Sequence, residues 1–180
     1  TAMTISEYPQ LHPLLAIALG TLVGIACGAI LGFIIAITGV LPIIATLGMM
    51  NVYRGLTFMI SDGKWVSAHQ MPDSFKGIAT GTLFGVNTLV VIAIIVYVVF
   101  YYFIEHTRTG RQIYAVGSNP ESARISGINN AFVLWLVYTI MGGLAGLTGV
   151  LWVSKFASAQ ADTAMSYELS VIAACVLGGV

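Results

Sequence analysis

The chain has 180 residues, 58% of them hydrophobic and 8% charged, with seven Lys and Arg against seven Asp and Glu. An ordinary soluble domain holds about 45–50% apolar and about 25% charged residues, so the composition excludes one, and the balanced charge removes any case for a nucleic-acid partner. What remains is an all-α protein of the lipid bilayer, a polytopic transmembrane helical bundle with about four to five spans.

In chain order, residues 14–40 are uncharged and exceed the roughly 20 apolar residues that a bilayer-crossing helix needs, so this span is expected to tilt. Gly20, Gly24, Gly28 and Gly32 recur every four residues within it and form one stripe where a second backbone can approach. In lipid, apolar burial gives helices no reason to associate, and such small faces permit the close packing that does. Residues 42–60 are a weaker span because they contain Arg54 together with Asn51 and Thr57. A charge at bilayer depth costs at least about 2.5–3.5 kcal/mol on insertion scales, so Arg54 is expected to face protein, water or a head group. Arg54 would lie about 18 Å up a helix starting at Pro42, from where its stem can snorkel to the interface. Asn51, Arg54 and Thr57, with Asn87 in the next span, are the candidate pathway residues.

Residues 61–82 carry Lys64 and Lys76 balanced by Asp62 and Asp73. A third span is expected over 83–104. The segment 105–130 then holds three of the seven basic residues, Arg108, Arg111 and Arg124, between two spans that hold none. By the positive-inside rule this loop is cytoplasmic, and the segments 61–82 and 154–168 face outward, the latter with Lys155, Asp162 and Glu168. Within the loop, residues 119–128 read as a short helix. Asn119 can cap exposed amides, and Pro120 fixes the first helical position, where its missing donor does no harm. Gly127 supplies a left-handed stop. Glu121 favours the positive end of the helix dipole and can meet Arg124 three residues on. Ala123 and Gly127 would form a small face suited to insertion in a groove, or the helix could simply tidy a surface loop. A fourth span covers 131–153, with Gly142, Gly143, Ala145, Gly146 and Gly149 as a second small-residue set. The last apolar run, 169–180, stops in mid-hydrophobic sequence, so the chain reads as an internal fragment.

Chemistry-bearing patterns are sparse. His12, His69 and His106 have no second ligand at helical spacing, so a metal site is not expected. Cys27 and Cys175 lie in apolar runs and argue for neither a disulfide framework nor a cluster. Asp62-Gly63-Lys64-Trp65 lacks the first glycine and the hydroxyl of a phosphate loop, and Ser118 suits a turn or cap better than a nucleophile. No cofactor is expected on this chain.

The loop sequence Val116-Gly117-Ser118-Asn119-Pro120-Glu121-Ser122-Ala123-Arg124-Ile125-Ser126-Gly127-Ile128, preceded by Thr107-Arg108-Thr109-Gly110-Arg111, resembles the cytoplasmic loop of permeases from ribose-type ATP-binding-cassette importers, which serve monosaccharides or autoinducer-2-like solutes. The likeness continues at Ile43-Ile44-Ala45-Thr46-Leu47-Gly48-Met49-Met50, at Tyr53-Arg54-Gly55, and from Tyr167-Glu168-Leu169 to Gly179. Ser122 stands where the family usually has Ala, and the turn before Pro42 lacks the usual Lys or Arg.

The resemblance implies a multi-pass protein of the bacterial plasma (inner) membrane, a single permease domain, that is not itself an enzyme. A separate cytoplasmic ATPase subunit would bind ATP and magnesium and dock on the loop. Asn119, Pro120, Glu121, Ser122, Ala123, Arg124 and Gly127 would be the coupling positions, flanked by Arg108 and Arg111. A second permease subunit and an extracytoplasmic solute-binding protein would complete the importer, which would move a monosaccharide or related small polar solute by alternating access. The rival readings are a permease for branched-chain amino acids or nucleosides, an ATP-independent carrier or channel, and an intramembrane enzyme, for which no nucleophile and base are paired.

Overall fold

The computed structural model describes residues 12–64, 73–83, 85–159 and 167–179. Trp65, His69, Asp162 and Val180, which figured in the sequence reading, lie outside the described residues. The protein is a helical transmembrane bundle. Among the described residues, four helices are long and apolar enough to cross a membrane, and one short hairpin interrupts them.

α1 runs over Pro13–Thr38, with Pro13 in the first turn and the His12 imidazole accepting from the Leu14 amide. Its 26 residues rise about 39 Å, more than the roughly 30 Å hydrocarbon layer, which a tilt accommodates. Gly39 ends it at φ 64°. α2, Pro42–Ser61, again opens on proline and ends at Asp62 in the left-handed region, φ 51°. It meets α1 near mid-length, where the Tyr53 hydroxyl donates to the Cys27 carbonyl at 2.6 Å. Short α3, Asp73–Thr80, leads into strands β1, Thr82–Leu83, and β2, Val86–Asn87, an antiparallel pair that turns at Gly85 with φ 79°.

α4 follows over Thr88–His106. A span opening at residue 83 is therefore corrected to 88, because Thr82–Leu83 pairs with Val86–Asn87 as the hairpin and Asn87 caps the helix by accepting from the Leu89 amide at 2.9 Å. The loop carries two helices where one was expected: α5, Arg108–Ser118, and α6, Pro120–Ile125. α7 covers Asn130–Phe156 and α8 covers Tyr167–Leu177.

The packed centre is the antiparallel α1–α7 pair, and glycine is its material. A Cβ built on Gly24 would lie 2.8 Å from Gly146 Cα, one on Gly28 the same distance from Gly142 Cα, and one on Gly142 2.7 Å from Gly28 Cα. No side chain fits there, so the two backbones touch. Each end of the pair is closed by a small cluster. At the end where α1 begins, Ala16 and Val150 pack on Phe75 of α3, and the buried Ser154 hydroxyl donates to the Phe75 carbonyl at 2.7 Å. At the opposite end, Val133 of α7 packs on Val116 of α5 and Ala123 of α6.

Candidate functional site

The two-helix step between α4 and α7 is held together from its own sequence outward. Thr107 donates to the Phe103 carbonyl at 2.6 Å, and its oxygen accepts from the Gly110 amide at 3.0 Å, so one side chain ends α4 and starts α5. Gly110 then passes so close to the preceding helix that a Cβ would fall 2.7 Å from Ile104 Cα and collide with the Ile104 carbonyl. The Thr-Arg-Thr-Gly-Arg run is thus an elbow. Asn119 makes the next turn, its side-chain oxygen accepting from the Ser122 amide at 3.0 Å with Pro120 in the first turn of α6. α6 closes with a double hydrogen bond: Ile128 N–H donates to Ala123 O and Gly127 N–H to Arg124 O, both at 3.0 Å, with Gly127 at φ 81°. This is the six-to-one and five-to-two pattern that favours glycine at a helix end. The cap, the proline start and the glycine stop all stand where the sequence places them.

The direction in which α6 faces differs from expectation. Ala123 is 3% exposed, turned inward onto Val116 and Val133, with Ile113, Ala115 and Ile128 around it. Gly127 lies outside the helix with open space about it. The two residues do not share an outward small face. A six-residue helix resting on α5 and α7 must bury its one small apolar position, and Ala123 is that position. What α6 exposes is Pro120, Glu121, Ser122, Arg124 and Ile125, the last 80% exposed. Glu121 and Arg124 pair at 2.9 Å across one turn, both side chains largely in solvent. Arg108 and Arg111 are exposed on α5, which turns Val116 inward. The step therefore presents a partly basic outer surface, interrupted by the exposed Tyr114 and Ile125, above an apolar seat.

The seat contains one residue that the sequence reading passed over. The Asn130 side chain, at the start of α7, donates through Nδ2 to the Pro120 carbonyl at 2.7 Å and pins the first turn of α6 to α7. Its Oδ1 is buried without a hydrogen-bond partner. Its neighbour Asn129 caps α7, accepting from the Phe132 amide at 3.1 Å. Only the tertiary placement separates the two asparagines.

The pathway candidates do not gather. Asn51 and Thr57 are exposed on α2 and spend their donors on their own helix, Asn51 on the Leu47 carbonyl at 3.2 Å and Thr57 on the Tyr53 carbonyl at 2.8 Å. Arg54 is half-buried on the same helix. Asn87 is not inside a span but caps α4, its Nδ2 donating to the Ala79 carbonyl at 3.1 Å. A groove of about 670 Å³ between α7 and α8 is lined by Met141, Leu144, Thr148, Trp152, Tyr167 and Val171. The Thr148 hydroxyl donates back to the Leu144 carbonyl, so this groove has little to offer the hydroxyls of a polar solute. Among the described residues, no three His, Cys, Asp or Glu side chains gather where a metal could sit.

The sequence model of a family described as branched-chain amino acid transport system / permease component matches residues 1–180. The chain belongs to this permease family. The permease is 40% identical over 172 residues to the ribose import permease protein RbsC of Escherichia coli (strain K12), covering 94% of this chain and 54% of that protein. It is 36% identical to the D-allose transport system permease protein AlsC of the same strain, covering 89% and 48%, and 34% identical to its L-arabinose transport system permease protein AraH, covering 83% and 45%. The chain spans about half the length of the curated relatives it matches. No solved structure matches it. The four long apolar helices are those of a multi-pass membrane permease.

Proposed function

We propose that this permease is the membrane-spanning subunit of an ATP-driven importer for a monosaccharide or a related small polar solute in a bacterial inner membrane, and that the α5–α6 step is its cytoplasmic coupling element. The observation that carries the reading is the build of the step: a short, capped, polar-faced helix seated on the end of a spanning helix, with Glu121, Ser122 and Arg124 outward. Such an element can be gripped from outside and can pass a displacement to the bundle. A separate ATPase subunit would bind ATP and magnesium and grip the step through Asn119, Pro120, Glu121, Ser122 and Arg124, with Arg108 and Arg111 flanking. Ala123 and Gly127 would set the seat and the stop rather than the contact. A second permease subunit would complete the pathway, and an extracytoplasmic binding protein would deliver solute at the α3 end. ATP binding would then tip the bundle between inward-facing and outward-facing states; Arg54, Asn51 and Thr57 on α2 remain the proposed pathway residues, while the cap of Asn87 gives it a structural duty instead.

Three relatives are permeases for sugars, which favours a sugar as solute, whereas the description of the family favours a branched-chain amino acid. Uptake of labelled ribose against labelled leucine by proteoliposomes separates the two. The coupling role is tested with a photo-cross-linker at Ser122→Cys in actively transporting membranes. Capture of an ATP-hydrolysing subunit is the expected result, and sustained transport without any such capture would sink the proposal.

A further inference from the structure

Two hydrogen bonds outside the helices' own ladders tie the caps to opposite ends of one helix. At the start of α7, Asn130 Nδ2 donates to the Pro120 carbonyl of α6, beside the Val116, Ala123 and Val133 cluster. Near its end, the Ser154 hydroxyl, 1% exposed, donates to the Phe75 carbonyl of α3, beside Ala16 and Val150. α7 is a continuous helix of 27 residues, a rod of about 40 Å. Along its middle it meets α1 backbone to backbone at Gly24, Gly28, Gly142 and Gly146, where no side chain can change rotamer to let one helix slide past the other. Close backbone contact of this kind gives the pair its dispersion attraction over several turns.

We infer that α1 and α7 form one rigid lever in which Asn130 and Ser154 are positioning residues, clamping the α5–α6 step to one end and the α3 cap to the other so that movement of either cap is delivered to its opposite. The lever rests on the coupling role proposed above and adds to it the route and the destination of the stroke. Asn130 holds the angle between α6 and α7; Ser154 holds the α3 cap against the tip of the rod.

The test uses the assembled importer, with its ATPase and binding protein, in proteoliposomes. In a Cys27→Ala, Cys175→Ala background, Ile25→Cys and Gly143→Cys place two thiols across the interface, since a Cβ on Gly143 would sit 3.0 Å from Ile25 Cγ1. If the pair moves as one body, oxidation of that bridge leaves uptake within about threefold of the reduced protein, a difference below 1 kcal/mol. A larger fall, restored by reductant, overturns the lever. Independently, Ser154→Ala is expected to cut the stimulation of ATP hydrolysis by solute-loaded binding protein by about fivefold, the order a lost buried hydrogen bond is worth, with basal hydrolysis and the Ser122 cross-link unchanged. Ser154→Cys, which keeps size and a weak donor, should recover part of it. Asn130→Ala should raise the ATP consumed per solute moved by a similar factor. Unaltered stimulation in Ser154→Ala, or an unaltered ratio in Asn130→Ala, removes that residue from the lever. Loss of the Ser122 cross-link would sink the coupling reading itself, whereas a lock that stops uptake while the cross-link persists sinks the lever alone.

Discussion

α1 and α4 are both long apolar helices able to cross a bilayer, yet α1 buries five of its residues, three of them glycines, and α4 buries none. Their apolarity is similar; their small residues are not. α1 carries glycine at every fourth position and meets the glycines of α7, whereas α4 carries Val98, Val99, Tyr101 and Tyr102, all exposed, along its length. In lipid, a Val or Tyr face is as well solvated by acyl chains as by another helix, so only a face that lets backbones touch gains enough dispersion contact to hold a pair. The bundle's contacts follow close approach rather than hydrophobicity.

The comparison can be broken most forcefully at its centre. Gly24→Leu drives a branched side chain into the α7 backbone and should cost about 3 kcal/mol of stability, measured by unfolding in detergent micelles, while Val98→Leu on α4 should change little. Equal effects at the two sites would remove the distinction. Ala123→Arg comes next. Forcing a guanidinium into the Val116–Val133 seat should cost about 2 kcal/mol and displace α6, whereas Ile125→Arg, on the outer side, should leave stability unchanged. A stable, normally folded Ala123→Arg protein would show that Ala123 faces outward after all. Tyr53→Phe removes the hydrogen bond from α2 to the Cys27 carbonyl of α1, and a loss of about 1 kcal/mol is expected in the same assay. The smallest effect belongs to the exposed Glu121–Arg124 pair, where Glu121→Ala should shift stability by less than about 0.5 kcal/mol; a larger change would mean that the pair is not solvent-screened.

Much of this was legible in the chain itself. Spans declared themselves by apolar length, and the ends of α6 by Asn119, Pro120 and Gly127, because capping depends on a few neighbouring residues. The second helix of the loop was missed although Thr107 followed by Gly110 is a cap spaced three residues ahead of its amide, a signal that could have been read. The β1–β2 hairpin was missed because Thr82–Leu83 and Val86–Asn87 are only two residues each and merge with the apolar run of α4. Asn87 was misplaced for the same reason.

By itself the sequence determined the membrane as solvent, the presence of long apolar helices, the family, and the two ends of α6, all properties set by composition or by residues within a turn of one another. Which small residues meet, which face of α6 turns inward, and that Asn130 and Ser154 close opposite ends of one rod were decided only in the tertiary structure. These depend on residues far apart in the chain, such as Phe75 and Ser154, being brought together by the glycine-lined contact of α1 with α7, and no local pattern specifies which partner a small or polar side chain will find.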